Sequence, residues 1–177
     1  MTKLSTLILG IILISCDVPT QEIEIATERL NSIDWNNRRV DLSQQDSLMS
    51  GRSYLSVYSE IYHVSELHIR SLTATVSLRN TNERDTIFIS RADYFNTSGT
   101  LIRGYINEPI FILPMATIEV IIDQIDKSAG TGGTGGNFVF DWGIKQGTNP
   151  PIFEGVMLSI AGTQAFSFVT RGWQISK

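Results

Sequence analysis

The feature that most constrains the fold is a strict alternation of apolar and polar side chains near the middle of the chain. Between residues 72 and 79 the apolar positions are Leu72, Ala74, Val76 and Leu78. Threonine, serine and arginine occupy the positions between them. Successive side chains of a β-strand point to opposite faces of its sheet, so this period of two buries one face and exposes the other. The segment therefore predicts a half-buried strand.

Further segments rich in aromatic and β-branched residues predict more strands. They cover 54–62, 86–92, 100–106, 117–123, 137–144, 152–160 and 165–171. Turn residues separate them, as in Asn80-Thr81-Asn82 and in 96–99, where Gly99 can supply a positive φ. Pro109 and Pro114 bracket a shorter apolar piece, which we expect at strand ends or at a sheet edge because proline cannot donate to a ladder.

The number and spacing of these segments predict the fold class. Seven or eight short strands without a convincing amphipathic helix are typical of an all-β domain. We predict a two-sheet antiparallel β-sandwich, immunoglobulin-like, rather than a barrel.

The N-terminus has the pattern of a targeting segment. Lys3 precedes an apolar run from residue 4 to residue 14, which is too short to span a bilayer. The run ends in Leu13-Ile14-Ser15-Cys16, which resembles the lipobox of bacterial lipoproteins. We therefore predict a signal peptide over residues 1–15 and a lipidated Cys16 that anchors the mature chain in a membrane. The alternatives are an ordinary secretory signal with a chance cysteine, or an uncleaved anchor helix.

Lipidation of Cys16 has consequences for the remaining chemistry. The chain contains one cysteine, so disulfides, cysteine-ligated zinc and cysteine nucleophiles are excluded. The mature chain has 13 basic and 18 acidic side chains, a balance that disfavours nucleic acid or anionic lipid as partners. We expect it on the extracytoplasmic side of the cell envelope. Asp17 resembles an inner-membrane retention signal and favours that membrane slightly over the outer one.

The sequence after the anchor divides into two parts. Residues 16–52 are polar, with scattered apolar positions, and predict a tether between the membrane and the sandwich domain, 53–177. The alternation in 22–25 allows part of this tether to add an edge strand to the domain.

A glycine-rich stretch is the most conspicuous candidate binding loop. Its residues are Gly130, Gly132, Gly133, Gly135, Gly136 and Asn137. A phosphate-binding P-loop needs a lysine after the glycines and the start of a helix, and here an aromatic strand follows. The stretch therefore predicts a loop between two strands, at one end of the sandwich, where binding residues are commonly found.

Two metal sites can be drawn on the sequence, and we predict neither. His63, His68 and one glutamate could bind zinc, but His63 and His68 point to opposite faces of a continuous strand. Only a turn at Val64-Ser65 could bring them together. Four oxygen-bearing residues near the glycines do not have the spacing of a calcium loop: Asp123, Asp126, Asn137 and Asp141. We expect no metal and no cofactor.

Catalytic motifs are equally weak. No Gly-x-Ser-x-Gly elbow is present, and any triad would need His63 or His68 as its base. We therefore expect no enzyme activity. Several aromatic residues could form a flat carbohydrate-binding surface, although their alternation favours core positions for most of them. They are Tyr54, Tyr58, Tyr62, Tyr94, Phe95, Phe138, Phe140, Trp142 and Trp173.

The order of these motifs resembles a bacterial lipoprotein family known as domain of unknown function 3124. The resemblance covers roughly residues 54–171. It is found in 54–63, 72–81, Asp93-Tyr94-Phe95 with Gly99, Pro109, Leu113-Pro114, Gly135-Gly136-Asn137-Phe138 with Trp142, and Asn149-Pro150-Pro151. It implies a β-sandwich of the bacterial envelope and carries no activity, cofactor or catalytic residue to this chain. The threonine-glycine expansion before Asn137 departs from the family pattern.

The function predicted from these observations is a membrane-anchored, non-catalytic binding or structural module of the cell envelope. Its partner would be an envelope protein or a glycan. The alternative is a metal-dependent or carbohydrate-active envelope enzyme, which would use His63 and His68 or a cleft beside the glycine-rich loop.

Overall fold

The computed structural model describes residues 35–45, 47–122, 133–161 and 164–176. The predicted signal peptide, Cys16 and most of the predicted tether lie outside the described residues, as do Gly130 and Gly132. The strands are β1 Met49–Val57, β2 Glu60–His63, β3 Ser65–Ser71, β4 Thr73–Arg79, β5 Ile87–Phe95, β6 Leu101–Ile106, β7 Ile110–Ile112, β8 Thr117–Ile122, β9 Gly136–Ile144, β10 Ile152–Ala161, β11 Gln164–Arg171 and β12 Trp173–Ile175. Three single 3-10 turns accompany them, at Asn36–Arg38, Leu42–Gln44 and Gly133–Gly135.

The strands form two antiparallel sheets and a separate hairpin. The first sheet has the order β12-β1-β9-β5-β6, with β7 also paired to β5. The second has the order β11-β10-β4-β8, and β2 pairs with β3 alone. The predicted all-β class and the two-sheet antiparallel sandwich are confirmed. Among the described residues, no helix is long and apolar enough to cross a membrane.

The core lies between the inward faces of the two sheets. The apolar positions are buried as the sequence predicts, with Ala74, Val76 and Leu78 of β4 and Leu72 just before it fully buried. Of the polar positions between them, Ser77 is buried as well. A column of stacked aromatic rings runs through the first sheet and reaches the second. Phe138 and Phe140 stack at 5.3 Å between ring centroids, and Phe140 stacks on Phe153 of β10 at 4.0 Å. These rings join the two sheets by burying apolar area and by stacking.

Gly172 marks the point where the chain passes from the second sheet to the first. It follows β11 of the second sheet and precedes β12, which pairs with β1 of the first. A Cβ at Gly172 would lie 3.0 Å from the carbonyl oxygen of Tyr54 and 3.1 Å from Cβ of Phe153. The absence of a side chain therefore permits the close approach that brings β12 against β1.

A buried pair of asparagines connects the turns at one end of the sandwich. Asn80 is 2% exposed, and its amide nitrogen donates to the carbonyl oxygens of Asp85, Ile112 and Leu113 at 2.7, 3.0 and 3.0 Å. Its Oδ1 accepts from the backbone and the side chain of Asn82. Asn82 in turn bonds to the backbone of Asn149 in both directions. Several segments that carry the family resemblance therefore meet in one structural network.

Strand boundaries differ from the prediction at the start of the domain. The continuous strand expected over 54–62 is wrong, because β1 ends at Val57 and a new strand begins at Glu60. β1 also starts at Met49, inside the stretch predicted as tether. Upstream, Arg39 forms an isolated bridge with Ile110, and the amide of Val40 donates to the carbonyl of Pro109 at 3.0 Å. Backbone pairing with the β6–β7 region orders these polar residues, although they have no hydrophobic period.

Candidate ligand-binding face

The outward side of the first sheet brings aromatic, amide and charged side chains together. We call it the front face and define it as Arg52 and Tyr54 of β1, Arg91 and Asp93 of β5, Asn137 and Asp141 of β9, and Trp173 of β12. On β1, β5 and β9 most of their neighbours point inward and form the core, since side chains alternate along a strand. The pairing registers align all of these residues except Asn137 in two rows across the sheet.

The first row runs Trp173, Tyr54, Val139 and Asp93, each residue directly opposite the next on the neighbouring strand. The second row runs Ile175, Arg52, Asp141 and Arg91. Neighbouring strands lie about 4.8 Å apart, so each row crosses roughly 14 Å of surface from β12 to β5. The front face is therefore long enough to contact more than one ring of an extended ligand.

Trp173 and Tyr54 form the aromatic part of the front face. Their ring centroids lie 4.8 Å apart, with an angle of 49° between the planes. Trp173 is 55% exposed, which is unusual for a residue type that is highly buried on average. Tyr54 supports the indole from one side and leaves much of its surface open to solvent.

Tyr54 also connects the front face to the glycine-rich stretch. Its hydroxyl donates to Oδ1 of Asn137 at 2.6 Å, and the Asn137 amide nitrogen donates to the carbonyls of Asn96 and Gly135 at 3.2 and 3.0 Å. Burial raises the pKa of Tyr54 above its ordinary value, and nearby Tyr58 adds to the shift. The phenol thus remains a hydrogen-bond donor at neutral pH.

The charged part of the front face is a chain of four residues with alternating sign. Arg52 donates from Nε and Nη2 to the two carboxylate oxygens of Asp141 at 2.6 and 2.9 Å. Arg91 donates from Nε to Asp93 at 2.6 Å and reaches Asp141 at 3.8 Å. The bond to Asp141 raises the pKa of Arg52 above its ordinary value. The side chains of Asp93 and Asp141 are only 12% and 15% exposed, so the arginines hold them in fixed geometry.

The described part of the glycine-rich stretch is packed against a neighbouring turn. Gly133 has a φ of +71°, and a Cβ there would meet Oγ1 of Thr97 at 2.7 Å. The amide of Gly135 donates to the same Thr97 oxygen at 3.0 Å, while Gly136 is buried at the start of β9. Asn137, the last of the predicted loop residues, therefore belongs to the front face, and Gly133 and Gly135 lie against the turn at 96–99.

His63 and His68 lie on opposite strands of the β2–β3 hairpin, with ring centroids 5.7 Å apart. Val64, with a φ of +64°, makes the turn that the sequence required for such an approach. Within the described ranges no group of three or more histidine, cysteine, aspartate or glutamate side chains is close enough to hold a metal ion. The zinc site completed by one glutamate is therefore not present among these residues.

The four-residue calcium hypothesis receives no support from the residues described. Asp123 and Asp126 lie outside the described residues. Asn137 is bonded to Tyr54 and to two carbonyls, and Asp141 accepts both hydrogen bonds of Arg52.

A cleft of about 250 Å³ lies beside the first sheet, away from the glycine-rich stretch. Its lining residues are Trp35, Arg39, Tyr105, Ile106, Asn107, Glu108 and Ile110. Arg39 and Glu108 form an exposed ion pair across it at 2.8 Å. Two aromatic residues, Trp35 and Tyr105, are among its lining residues, and the Tyr105 ring lies 5.6 Å from that of Phe138.

The sequence only partly distinguished the buried aromatic residues from the exposed ones. Tyr94, Phe138, Phe140 and Trp142 are buried, as alternation predicts, whereas Trp173 and Tyr62 are exposed by 55% and 57%. Arg52 and Arg91 were not predicted as site residues. The Arg91-x-Asp93 spacing, which places both side chains on one strand face, is a local signal for that pair. Arg52 and Asp141 are 89 residues apart, so only the sheet register brings them together.

Comparison with known proteins places most of the chain in one family. A family model described as protein of unknown function (DUF3124) matches residues 50–175. No curated protein sequence matches the chain. A solved structure that is similar to the chain is described as the crystal structure of Thermotoga maritima 1070, with 10% identity and a TM-score of 0.44. The similarity covers 70% of this chain and 92% of that one.

Proposed function

We propose a function for this chain, which belongs to the DUF3124 family of proteins of unknown function, from the chemistry of its own front face. The protein is an envelope lipoprotein anchored through Cys16, and its sandwich is a non-catalytic module that binds a neutral glycan. The observation that carries the proposal is the 55% exposed indole of Trp173, supported by Tyr54 and adjacent to fixed polar groups.

The aromatic pair suits the apolar side of a sugar ring. Aromatic side chains provide large, rigid contact area, and an indole supported by a second ring is already ordered before a ligand arrives. Few side-chain rotamers then need to be fixed on binding, so less conformational entropy is lost. A sugar ring stacked on Trp173 would have its hydroxyl groups within reach of the polar residues on the neighbouring strands.

The charge balance of the front face favours a neutral ligand. Arg52 and Arg91 are compensated by Asp93 and Asp141 through the hydrogen bonds and ion pairs described above. A strongly charged ligand would have to compete with these internal pairs, which are partly buried and hydrogen-bonded. Hydroxyl groups can instead donate to the carboxylates and accept from the guanidinium groups without separating them.

The same pairing supports a binding role over hydrolysis. A glycosidase of the common two-carboxylate type needs one carboxylic acid that donates a proton and a second that acts as a base or nucleophile. Asp93 and Asp141 both accept short hydrogen bonds from arginine. Carboxylates held by arginine in this way are typical of groups that orient a bound ligand, not of groups that donate a proton to it.

Binding to a panel of oligosaccharides tests the proposal. The full chain with wild-type Trp173, Trp173→Ala and Trp173→Tyr would be titrated calorimetrically with neutral and acidic oligosaccharides. Truncation of an aromatic anchor residue commonly costs about 2 kcal/mol or more, so Trp173→Ala should weaken binding of a neutral ligand by roughly 30-fold. Trp173→Tyr should retain part of the affinity.

Tyr62→Ala is the matched control, because Tyr62 is an equally exposed aromatic residue on the β2–β3 hairpin. It should bind as tightly as the wild type. Equal losses in the Trp173 and Tyr62 variants, tighter binding of acidic ligands, or no binding of any neutral oligosaccharide would contradict the proposal.

A further inference from the structure

The β2–β3 hairpin projects two imidazole rings toward each other outside the front face. His63 ends β2, Val64 makes the turn, and His68 lies within β3. A β-bulge between Tyr62 and His63 shifts the register so that His63 pairs with Ser65. These two irregularities bring together two side chains that would lie on opposite faces of a continuous strand. The chain contains only these two histidines.

The spacing of the rings matches two ligands of one metal ion. A zinc–nitrogen bond is about 2.1 Å long and the ring nitrogen lies about 1.1 Å from the ring centre, so a bound ion sits about 3.2 Å from each centroid. The centroids are 5.7 Å apart with an interplanar angle of 59°. An ion placed about 3.2 Å from both centroids would subtend an angle of about 125°, near the roughly 109° of tetrahedral coordination. Side-chain rotations that turn one nitrogen of each ring toward the ion, with the centroids about 5.2 Å apart, would give the tetrahedral angle.

Ser65 fixes one of the rings in the orientation that a ligand needs. Its Oγ lies 2.8 Å from Nδ1 of His68 and also accepts from the amide of Leu67 at 3.3 Å. When Nδ1–H donates to this oxygen, the lone pair of Nε2 is free to bind a metal. Such hydrogen bonds to the second ring nitrogen accompany almost every histidine ligand in known metal sites.

We propose that His63 and His68 form a surface site for a borderline divalent transition metal, of the class Cu²⁺, Ni²⁺ or Zn²⁺. Two imidazole nitrogens suit these ions, whereas Ca²⁺ and Mg²⁺ prefer oxygen. The described residues supply no third protein ligand of the His, Cys, Asp or Glu type. Water, or an atom of another molecule, fills the remaining positions. Cu²⁺ should bind most tightly, as the Irving–Williams order requires.

Metal titration of the full chain tests this site. Every variant would carry Cys16→Ser, so that no thiol competes, and no polyhistidine tag. Cu²⁺ and Zn²⁺ should bind with one ion per chain, with Cu²⁺ tighter, and Mg²⁺ should not bind. His63→Ala and His68→Ala should each weaken Cu²⁺ affinity more than tenfold. Ser65→Ala should weaken it by about 10- to 100-fold, as loss of an outer-shell partner does.

Imidazole nitrogen NMR signals give a second readout that does not depend on affinity. Zn²⁺ should shift the Nε2 signal of His68 and leave Nδ1 in its hydrogen-bonded range. Ser71→Ala, at the far end of the hairpin, is the control and should match the wild type in both measurements. Equal Cu²⁺ affinity in wild type, His63→Ala and His68→Ala would overturn the proposal. So would two unshifted imidazole signals when Zn²⁺ is saturating.

Discussion

At the scale of single residues, Asn80 shows that a buried side chain outside any catalytic motif can hold several turns of the fold together. It is 2% exposed, and its amide satisfies three carbonyl oxygens on one side and two Asn82 donors on the other. When a buried polar group loses its hydrogen-bond partner, the free energy of its desolvation is no longer offset. A single asparagine thus stabilises the turn after β4 and the connection between β7 and β8.

Replacing Asn80 with alanine should therefore destabilise the fold strongly. Several backbone groups would be left unpaired in the interior, at about 1–3 kcal/mol for each unsatisfied group, so we expect a total loss of about 3 kcal/mol or more. Urea unfolding of the full chain measures it. Asn107→Ala, an exposed asparagine, should change the unfolding free energy by less than about 0.5 kcal/mol. A loss below about 1 kcal/mol for Asn80→Ala would show that other groups satisfy the network.

At the scale of elements, β1 contributes residues both to the front face and to the core. Its outward residues Arg52 and Tyr54 form the front face, and its inward glycine, Gly51, lies against the ring of Trp142 on β9. A Cβ on Gly51 would overlap that ring. Trp142 is 4% exposed and donates from Nε1 to Ser53 Oγ at 2.9 Å, so it has little freedom to move away.

Gly51→Ala should consequently destabilise the sandwich, although alanine is better suited than glycine to most strand positions. Overpacking of a filled core costs typically about 1–3 kcal/mol. Thermal unfolding together with near-ultraviolet circular dichroism of the tryptophans would detect both the loss and the displaced ring. Ser50→Ala, an exposed position on the same strand, is the control and should leave both signals unchanged. An unaltered unfolding temperature in Gly51→Ala would mean that Trp142 repacks freely.

Most elements were predictable, and the exceptions have physical reasons. β4, β6, β8, β9, β10 and β11 begin and end within two residues of their predicted limits, because one buried face imposes alternation on the sequence. The β2–β3 hairpin was not predicted as a hairpin, since most of its apolar residues are exposed and its two strands pair only with each other among the described strands. β12 has three residues, too few for a period, and exists because Gly172 lets it approach β1.

At the scale of the whole molecule, the proposed lipid anchor determines where any binding would take place. Expression in a bacterial host with an alkyne-tagged fatty acid should label the wild-type chain and place it in the membrane fraction. Cys16→Ala should abolish labelling, because the acceptor thiol is lost. Asp17→Ser should still be labelled, as it leaves the cysteine intact. Labelling of Cys16→Ala, or an unlabelled wild type, would contradict the anchor.

The sequence by itself determined the all-β class, the alternating core and the family. Burial of one sheet face and the order of turn residues depend on residues that are close together in the sequence. It also gave the basis for proposing the anchor at Cys16. Only the tertiary structure decided which polar and aromatic residues meet. Arg52 reaches Asp141, and Tyr54 meets Trp173, through strand registers that join distant segments. Pairing register depends on the packing of whole sheets, so no local pattern could have specified the front face. The two histidines differ, because they meet through a local turn at Val64 within one hairpin.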